Sequence, residues 1–290
     1  MDAPYREHVF RSEDDIPLYC RDYGSGSGSG GRAPVLCLAG LTRNSKEFHR
    51  IASHLSATRR VLAMDFRGRG RSGYDANWRN YHPATYVRDV ISLLAAAGIP
   101  RVVVLGTSLG GICAMALGAA APTLLAGAVL NDVGPVLDPN GIARIAGYVG
   151  RDLRMPDIET AAAALKSQFA AAYPGRDDAF WLRTADAVFV ADPARGDFRL
   201  DYDLHIGDAL REQAKGGATP DLWPLYRSLA DIPVLAVRGA LSDVLDPATF
   251  ERMAAEKPDL RRLLIPNVGH TPIPHEEPFL TALDDFLAAL

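Results

Sequence analysis

The 290-residue sequence contains only three cysteines, Cys20, Cys37 and Cys113, spread far apart, with no CxxC pair and no histidine at ligand spacing. That excludes a disulfide-stapled scaffold and a zinc module, and it favours reduced, packed thiols in a cytoplasmic protein. No run of about 18 apolar residues occurs, and the opening MDAPYREHVF is charged where a signal peptide needs an apolar core. A soluble, non-exported chain with no membrane partner is expected. Neither sign of charge dominates: 31 Lys and Arg face 35 Asp and Glu, a formal net charge of -4. This balance gives no electrostatic reason to expect nucleic acid, and a small neutral or weakly charged molecule is the more natural ligand. No His, Cys and carboxylate cluster at metal-ligand spacing is visible, so neither a metal nor an organic cofactor is expected.

What is present is ordinary globular material, 48% hydrophobic and 23% charged, in a chain long enough for one large domain with an insertion. Within it the stretch VVVLGTSLGG, residues 102–111, stands out. Val102 to Leu105 read as a fully buried parallel strand, and Leu109 to Ala121 as a helix. Between them Ser108 is flanked by Gly106 and Gly110, so strand, sharp turn and helix are compressed around one hydroxyl. Such a turn lifts the serine Oγ clear of the sheet and aims the amide of Leu109, at a helix N-terminus, where an oxyanion would form.

Apolar runs recur at 34–39, 60–64, 101–105, 125–130, 233–237 and 261–265, separated mostly by segments of helix length such as 83–97 and 247–256. Alternating strands and helices imply a mainly parallel sheet covered on both faces. Two short strands are expected over about 6–23, followed by the low-complexity tract GSGSGSGG at 24–31, to which no function is assigned. From Leu130 to Pro233 no convincing buried strand occurs. Helix-like segments near 141–151, 157–173 and 177–189 make this an inserted helical cap, dividing the chain into a core of 1–135 and 230–290 and a cap of 136–229.

Ligands of open parallel sheets sit beyond the carboxyl ends of strands. There the chain carries Gly40-Leu41-Thr42-Arg43, then Ser108, then Gly239-Ala240-Leu241-Ser242-Asp243, then Val268-Gly269-His270. Serine, aspartate and histidine follow in the order of an α/β-hydrolase triad. With Asp65-Phe66-Arg67-Gly68-Arg69-Gly70-Arg71-Ser72, which is similar to the family's D-x-R-G-x-G-x-S loop, the chain resembles a capped α/β-hydrolase-fold enzyme of the serine esterase or lactonase kind. Ala39-Gly40 stands where many relatives carry His-Gly. The resemblance implies the α/β-hydrolase fold, with an eight-stranded sheet flanked by helices and the cap inserted after the sixth strand.

On this reading Ser108 is the nucleophile, His270 the general base and Asp243 the orienting acid, with Asp132 after the sixth run as the fallback. Asp246 reads as a helix cap before Pro247, and His275 is the only local competitor of His270. The oxyanion hole falls to the backbone amides of Leu41 and Leu109. Arg43 is a candidate contact for a substrate carboxylate or carbonyl, with a structural ion pair as the alternative. The arginines of 67–71 read as forming and salt-bridging their own loop. In the cap Trp181, Phe189, Tyr202, Trp223 and Tyr226 are candidates for an apolar roof over Ser108. The expected activity is hydrolysis of a small to medium carboxylic ester or lactone through an acyl-serine intermediate. A C–C bond hydrolase of the meta-cleavage type, and a hydrolase-fold receptor without turnover, are the alternatives.

Overall fold

A computed structural model describes residues 4–24, 31–215 and 220–290; most of the Gly/Ser tract at 24–31 lies outside them. The chain opens with β1 (Tyr5–Arg11) and β2 (Pro17–Tyr23), an antiparallel hairpin. It then alternates: β3 (Val35–Leu38), α1 (His49–Leu55), β4 (Val61–Met64), α2 (Pro83–Ala96), β5 (Val102–Thr107), α3 (Leu109–Ala120) and β6 (Leu125–Asn131). After an insertion it resumes with β10 (Val234–Gly239), α9 (Pro247–Glu256), β11 (Arg261–Ile265) and α10 (Phe279–Ala288). These strands form one sheet in the order β1-β2-β4-β3-β5-β6-β10-β11. The pairings β4-β3-β5-β6-β10-β11 are parallel, and β2 runs antiparallel to β4. The eight-stranded α/β-hydrolase architecture expected from the sequence is the one found.

Alternation along β5 shows how the sheet is buried on both faces. Val102 and Val104 pack with α2 and α3 through Leu93, Tyr86 and Met115. Val103 and Leu105 point the other way, toward Ile51 and Leu55 of α1 and Phe279 and Phe286 of α10. A strand covered on both faces has no polar side to show, which is why these strands read as continuous apolar runs. The last helix begins at Phe279, later than a start at His275 would give, because Pro278 occupies its N-cap.

The insertion, between β6 and β10, contains α4 (Pro139–Tyr148), β7 (Arg154–Met155), α5 (Ile158–Phe169), α6 (Asp178–Val188), β8 (Phe189–Asp192), β9 (Asp197–Leu200), α7 (Ile206–Ala214) and α8 (Trp223–Arg227). Helices dominate, capped at α4, α5 and α6 by Asp138, Asp157 and Asp177 accepting backbone N–H bonds. It also carries a small antiparallel sheet, β7-β9-β8, whose half-buried strands gave no sequence signal. Its two ends meet where the Leu222 amide donates to the Pro135 carbonyl at 3.0 Å. Among the described residues no helix is long and apolar enough to cross a membrane.

Candidate active site

The turn around Ser108 is as tight as its glycines suggest. Ser108 has φ +51° and ψ -114°, a backbone conformation that L-residues rarely adopt. A Cβ on Gly106 would stand 2.4 Å from the Gly110 carbonyl oxygen, and one on Gly110 would stand 2.0 Å from that of Leu38. Strand and helix can approach this closely only without side chains. The turn is pinned further by the Ser108 amide, which donates to the Asn131 carbonyl at the end of β6 at 2.9 Å.

His270, in the loop after β11, lies with Nε2 2.9 Å from Ser108 Oγ. Its Nδ1 is 2.7 Å from Asp132 Oδ2. Asp132 follows β6 directly and is fully buried, at 0% exposure. Its other oxygen, Oδ1, accepts from the Gly239 amide at 2.9 Å, and its own amide donates to the Val237 carbonyl at 2.8 Å. The carboxylate is therefore clamped between two strand ends with one oxygen left for the imidazole, which fixes ring orientation and tautomer.

Asp243, expected as the orienting acid, does not occupy that place. It sits in the turn after β10 with 39% of its side chain exposed, and Arg144 of α4 binds both of its oxygens, Nη2 to Oδ1 at 2.8 Å. That guanidinium holds the Asp243 carboxyl below the usual carboxylate range. The acid that contacts His270 is the fallback, Asp132. Asp246 accepts from the Thr249 amide at 2.9 Å as the N-cap of α9. His275 lies in the same cleft, part-buried, with Nδ1 lacking a hydrogen-bond partner.

The amides of Leu41 and Leu109 have no hydrogen-bond acceptor among the described residues, and both residues border Ser108, Leu109 as the first residue of α3 and Leu41 next to Gly40. Leu41 is held from behind: Arg69, itself fully buried, donates Nε to the Leu41 carbonyl at 2.9 Å. The other loop arginines also face structure, Arg67 binding Asp14, Asp75 and Asp89, and Arg71 pairing with Glu7.

Ser108 and His270 open into a cavity of about 640 Å³ between core and insertion. Of the expected roof residues, Trp181 and Tyr202 line it. Phe189, Trp223 and Tyr226 do not. Phe189 is packed inside the insertion against α5 and α6, while Trp223 and Tyr226 turn into the main core, where the Tyr226 hydroxyl donates to the Met253 carbonyl of α9. Aromatic composition carries no information on which ring faces the cleft. The sequence reading missed Glu47, Tyr148 and Phe169, which line the cavity, and Tyr173, whose hydroxyl donates to the Thr271 carbonyl at 3.0 Å and accepts from the Thr271 amide at 2.7 Å. With the Gly269 amide donating to the Ala172 carbonyl, the insertion braces the histidine loop on both sides of His270. These contacts join distant parts of the chain, so no local pattern announces them.

Residues 35–283 match the model of a family described as the alpha/beta hydrolase family. The chain belongs to the alpha/beta hydrolase family. It is 40% identical to an alpha/beta hydrolase of known structure from Novosphingobium aromaticivorans, with a TM-score of 0.92 over 99% of each chain. It is 33% identical to the 3-hydroxybutyrate-oligomer hydrolase of Cupriavidus necator over 82% of each chain. To the 2-(acetamidomethylene)succinate hydrolase of Mesorhizobium japonicum it is 28% identical, over 88% of this chain and 85% of that one.

Proposed function

We propose that the protein is a serine hydrolase that cleaves small to medium carboxylic esters or lactones through an acyl-serine intermediate. The observation that carries this reading is the unbroken relay from Asp132 Oδ2 through both nitrogens of His270 to Ser108 Oγ. His270 takes the Ser108 proton as Oγ attacks the carbonyl, and the amides of Leu41 and Leu109 hold the tetrahedral oxyanion. The imidazolium then returns the proton to the departing alkoxide. In the second half His270 deprotonates a water that releases the acid from Ser108. Asp132 Oδ2 accepts the Nδ1–H bond and supports the positive ring. Water and the chain's own groups suffice, so these steps call for no metal or cofactor. The insertion, taken as 136–229, serves as a cap that shapes the pocket, and its volume suits a ligand of modest size. Ester chemistry is also supported by the likeness to the hydrolase of 3-hydroxybutyrate oligomers, compounds whose units are joined by ester bonds. Three buried, free thiols, Cys20, Cys37 and Cys113, support a cytoplasmic location.

The test is a panel of p-nitrophenyl esters of graded chain length with the wild type and Ser108→Ala. Wild-type turnover and at least a thousandfold loss in the folded variant are expected. Cleavage of a vinylogous diketone with no ester turnover would instead favour a C–C hydrolase, and no turnover of either a receptor.

A further inference from the structure

The chain as a whole is slightly acidic, yet its cleft is not. Among the residues lining it, six are cationic, Arg43, Lys46, Arg50, Arg144, Arg151 and Arg183, against the three acids Glu47, Asp186 and Glu276. Two of the cations are committed, Lys46 to Asp201 and Arg144 to Asp243, and Glu276 is taken by Arg176. The side chains of Arg43, Arg50, Arg151 and Arg183 have no hydrogen-bond or ion-pair partner among the described residues. Arg6, Arg32 and Arg195 likewise have no side-chain hydrogen-bond or ion-pair partner among the described residues, but they are exposed on the outer surface, whereas Arg43 is part-buried in the cleft.

Arg43 is the deepest placed of the four with respect to the chemistry. It follows Leu41, whose amide belongs to the proposed oxyanion hole, by two residues. A point beside Gly40 lies 3.7 Å from Ser108 Cβ and 3.9 Å from Arg43 Cγ, so the two side chains rise from the same spot on the cleft floor. Arg50, on α1 of the core, and Arg183, on α6 of the insertion, are more exposed than Arg43. Glu47, whose carboxyl feels the Arg43 charge, makes no ion pair with it; its Oε2 lacks a hydrogen-bond partner, and burial raises its carboxyl above the ordinary range. An unpaired guanidinium in a part-buried wall offers a planar fork that fits a carboxylate with two parallel bonds. The outer arginines would raise the local concentration of an anion at the entrance.

Resting on the ester-hydrolase reading, we propose that the preferred substrate is a carboxylate-bearing ester whose free acid group, a few bonds from the scissile carbonyl, is anchored by Arg43.

Two matched pairs test this, with spontaneous hydrolysis subtracted. The mono-p-nitrophenyl ester of glutaric acid is compared with p-nitrophenyl pentanoate, and 3-(butanoyloxy)propanoate with propyl butanoate, the latter pair followed by acid release. The first pair places the charge on the acyl side and the second on the alcohol side. In at least one pair the anionic ester should be favoured in kcat/KM by about 30-fold or more, the size expected of hydrogen bonds to a charged group. In Arg43→Gln that ratio should collapse to about threefold or less, and Arg43→Lys should recover part of it. Ratios near one in wild type, with the neutral esters turned over, overturn the anchor and leave the hydrolase reading standing. A wild-type preference that survives in Arg43→Gln overturns the assignment to Arg43. Turnover of none of the four sinks the ester reading and this inference with it. If Arg43→Gln does not fold, inhibition of the wild type decides: glutarate should compete about tenfold or more better than glutaramide, and equal inhibition overturns the proposal.

Discussion

The loop after β6 and the loop after β10 each bring an aspartate toward the cleft, and the two carboxylates are put to opposite uses. Asp132 is wholly buried, tied by its own amide and by Gly239, and spends its last oxygen on His270. Asp243 is partly exposed and neutralised by Arg144 across the seam with the insertion. A carboxylate orients a histidine when its remaining bonds fix it in a dry site, and merely standing at a strand end is not enough. A second contrast lies in the glycines: a Cβ on Gly106 or Gly110 of the floor would meet backbone, whereas one on Gly147 of the insertion would meet nothing within 4 Å.

The largest effect expected is on that pair. Asp132→Asn should lower kcat by about 10³ to 10⁴-fold, because an amide supports the wrong imidazole tautomer. Asp243→Asn should stay within about threefold of wild type on every ester, since it meets no reacting atom. Steady-state kinetics on the folded variants checks both, and the reverse ranking would restore Asp243 to the role first expected of it.

Why the sequence pointed to the wrong aspartate is itself instructive. Serine, aspartate, histidine is the chain order for Ser108, Asp132 and His270 as well as for Ser108, Asp243 and His270, so order cannot choose between them. What distinguishes Asp132 is that it follows a wholly buried strand with no intervening loop, whereas Asp243 stands four residues past Gly239, far enough for the turn to carry it outward. The sheet, the elbow and the histidine loop were legible because each depends on a local pattern: apolar runs buried on both faces, glycines around a serine, a polar residue at a strand end. The three short strands of the insertion, the brace of Tyr173 on the histidine loop and the inward turn of Trp223 depend on long-range packing, for which four-residue windows hold no information.

Glycine replacements sharpen the contrast between floor and roof. Gly110→Ala drives a methyl into the Leu38 carbonyl, backbone that cannot give way without parting helix from sheet. A loss of about 3 kcal/mol or more in urea unfolding is expected, if the variant folds at all. Gly147, exposed near the end of α4 with nothing within 4 Å of a Cβ, should tolerate alanine and gain up to about 1 kcal/mol from helix propensity.

The two tryptophans divide along the same line. Trp181 lines the cavity, so Trp181→Ala should reorder ester chain lengths by about 1–3 kcal/mol per methylene contacted. Trp223 packs against Tyr226 in the main core and stacks under Arg252, so Trp223→Ala should lower Tm and leave the ranking alone. A reordered profile in Trp223→Ala at unchanged Tm would contradict this division.

The smallest effect concerns His275, on the cleft wall near Arg50, Arg176, Arg183 and Glu276. Burial, aided by the arginines, pulls its pKa down to about 4. An unfolded histidine titrates near 6.5, so between these values the unfolded chain takes up a proton that the folded protein refuses. Stability from this group is therefore intact above about pH 6.5 and is lost as pH falls toward 4. His275→Gln has no proton to gain, so its unfolding free energy should drop less than that of wild type between pH 7 and pH 5. Carboxylates that titrate over the same range affect both proteins and cancel in the difference. Urea unfolding at the two pH values gives that difference directly, and equal acid sensitivity in the two proteins would mean that solvent or a neighbouring acid already lets the folded His275 accept its proton.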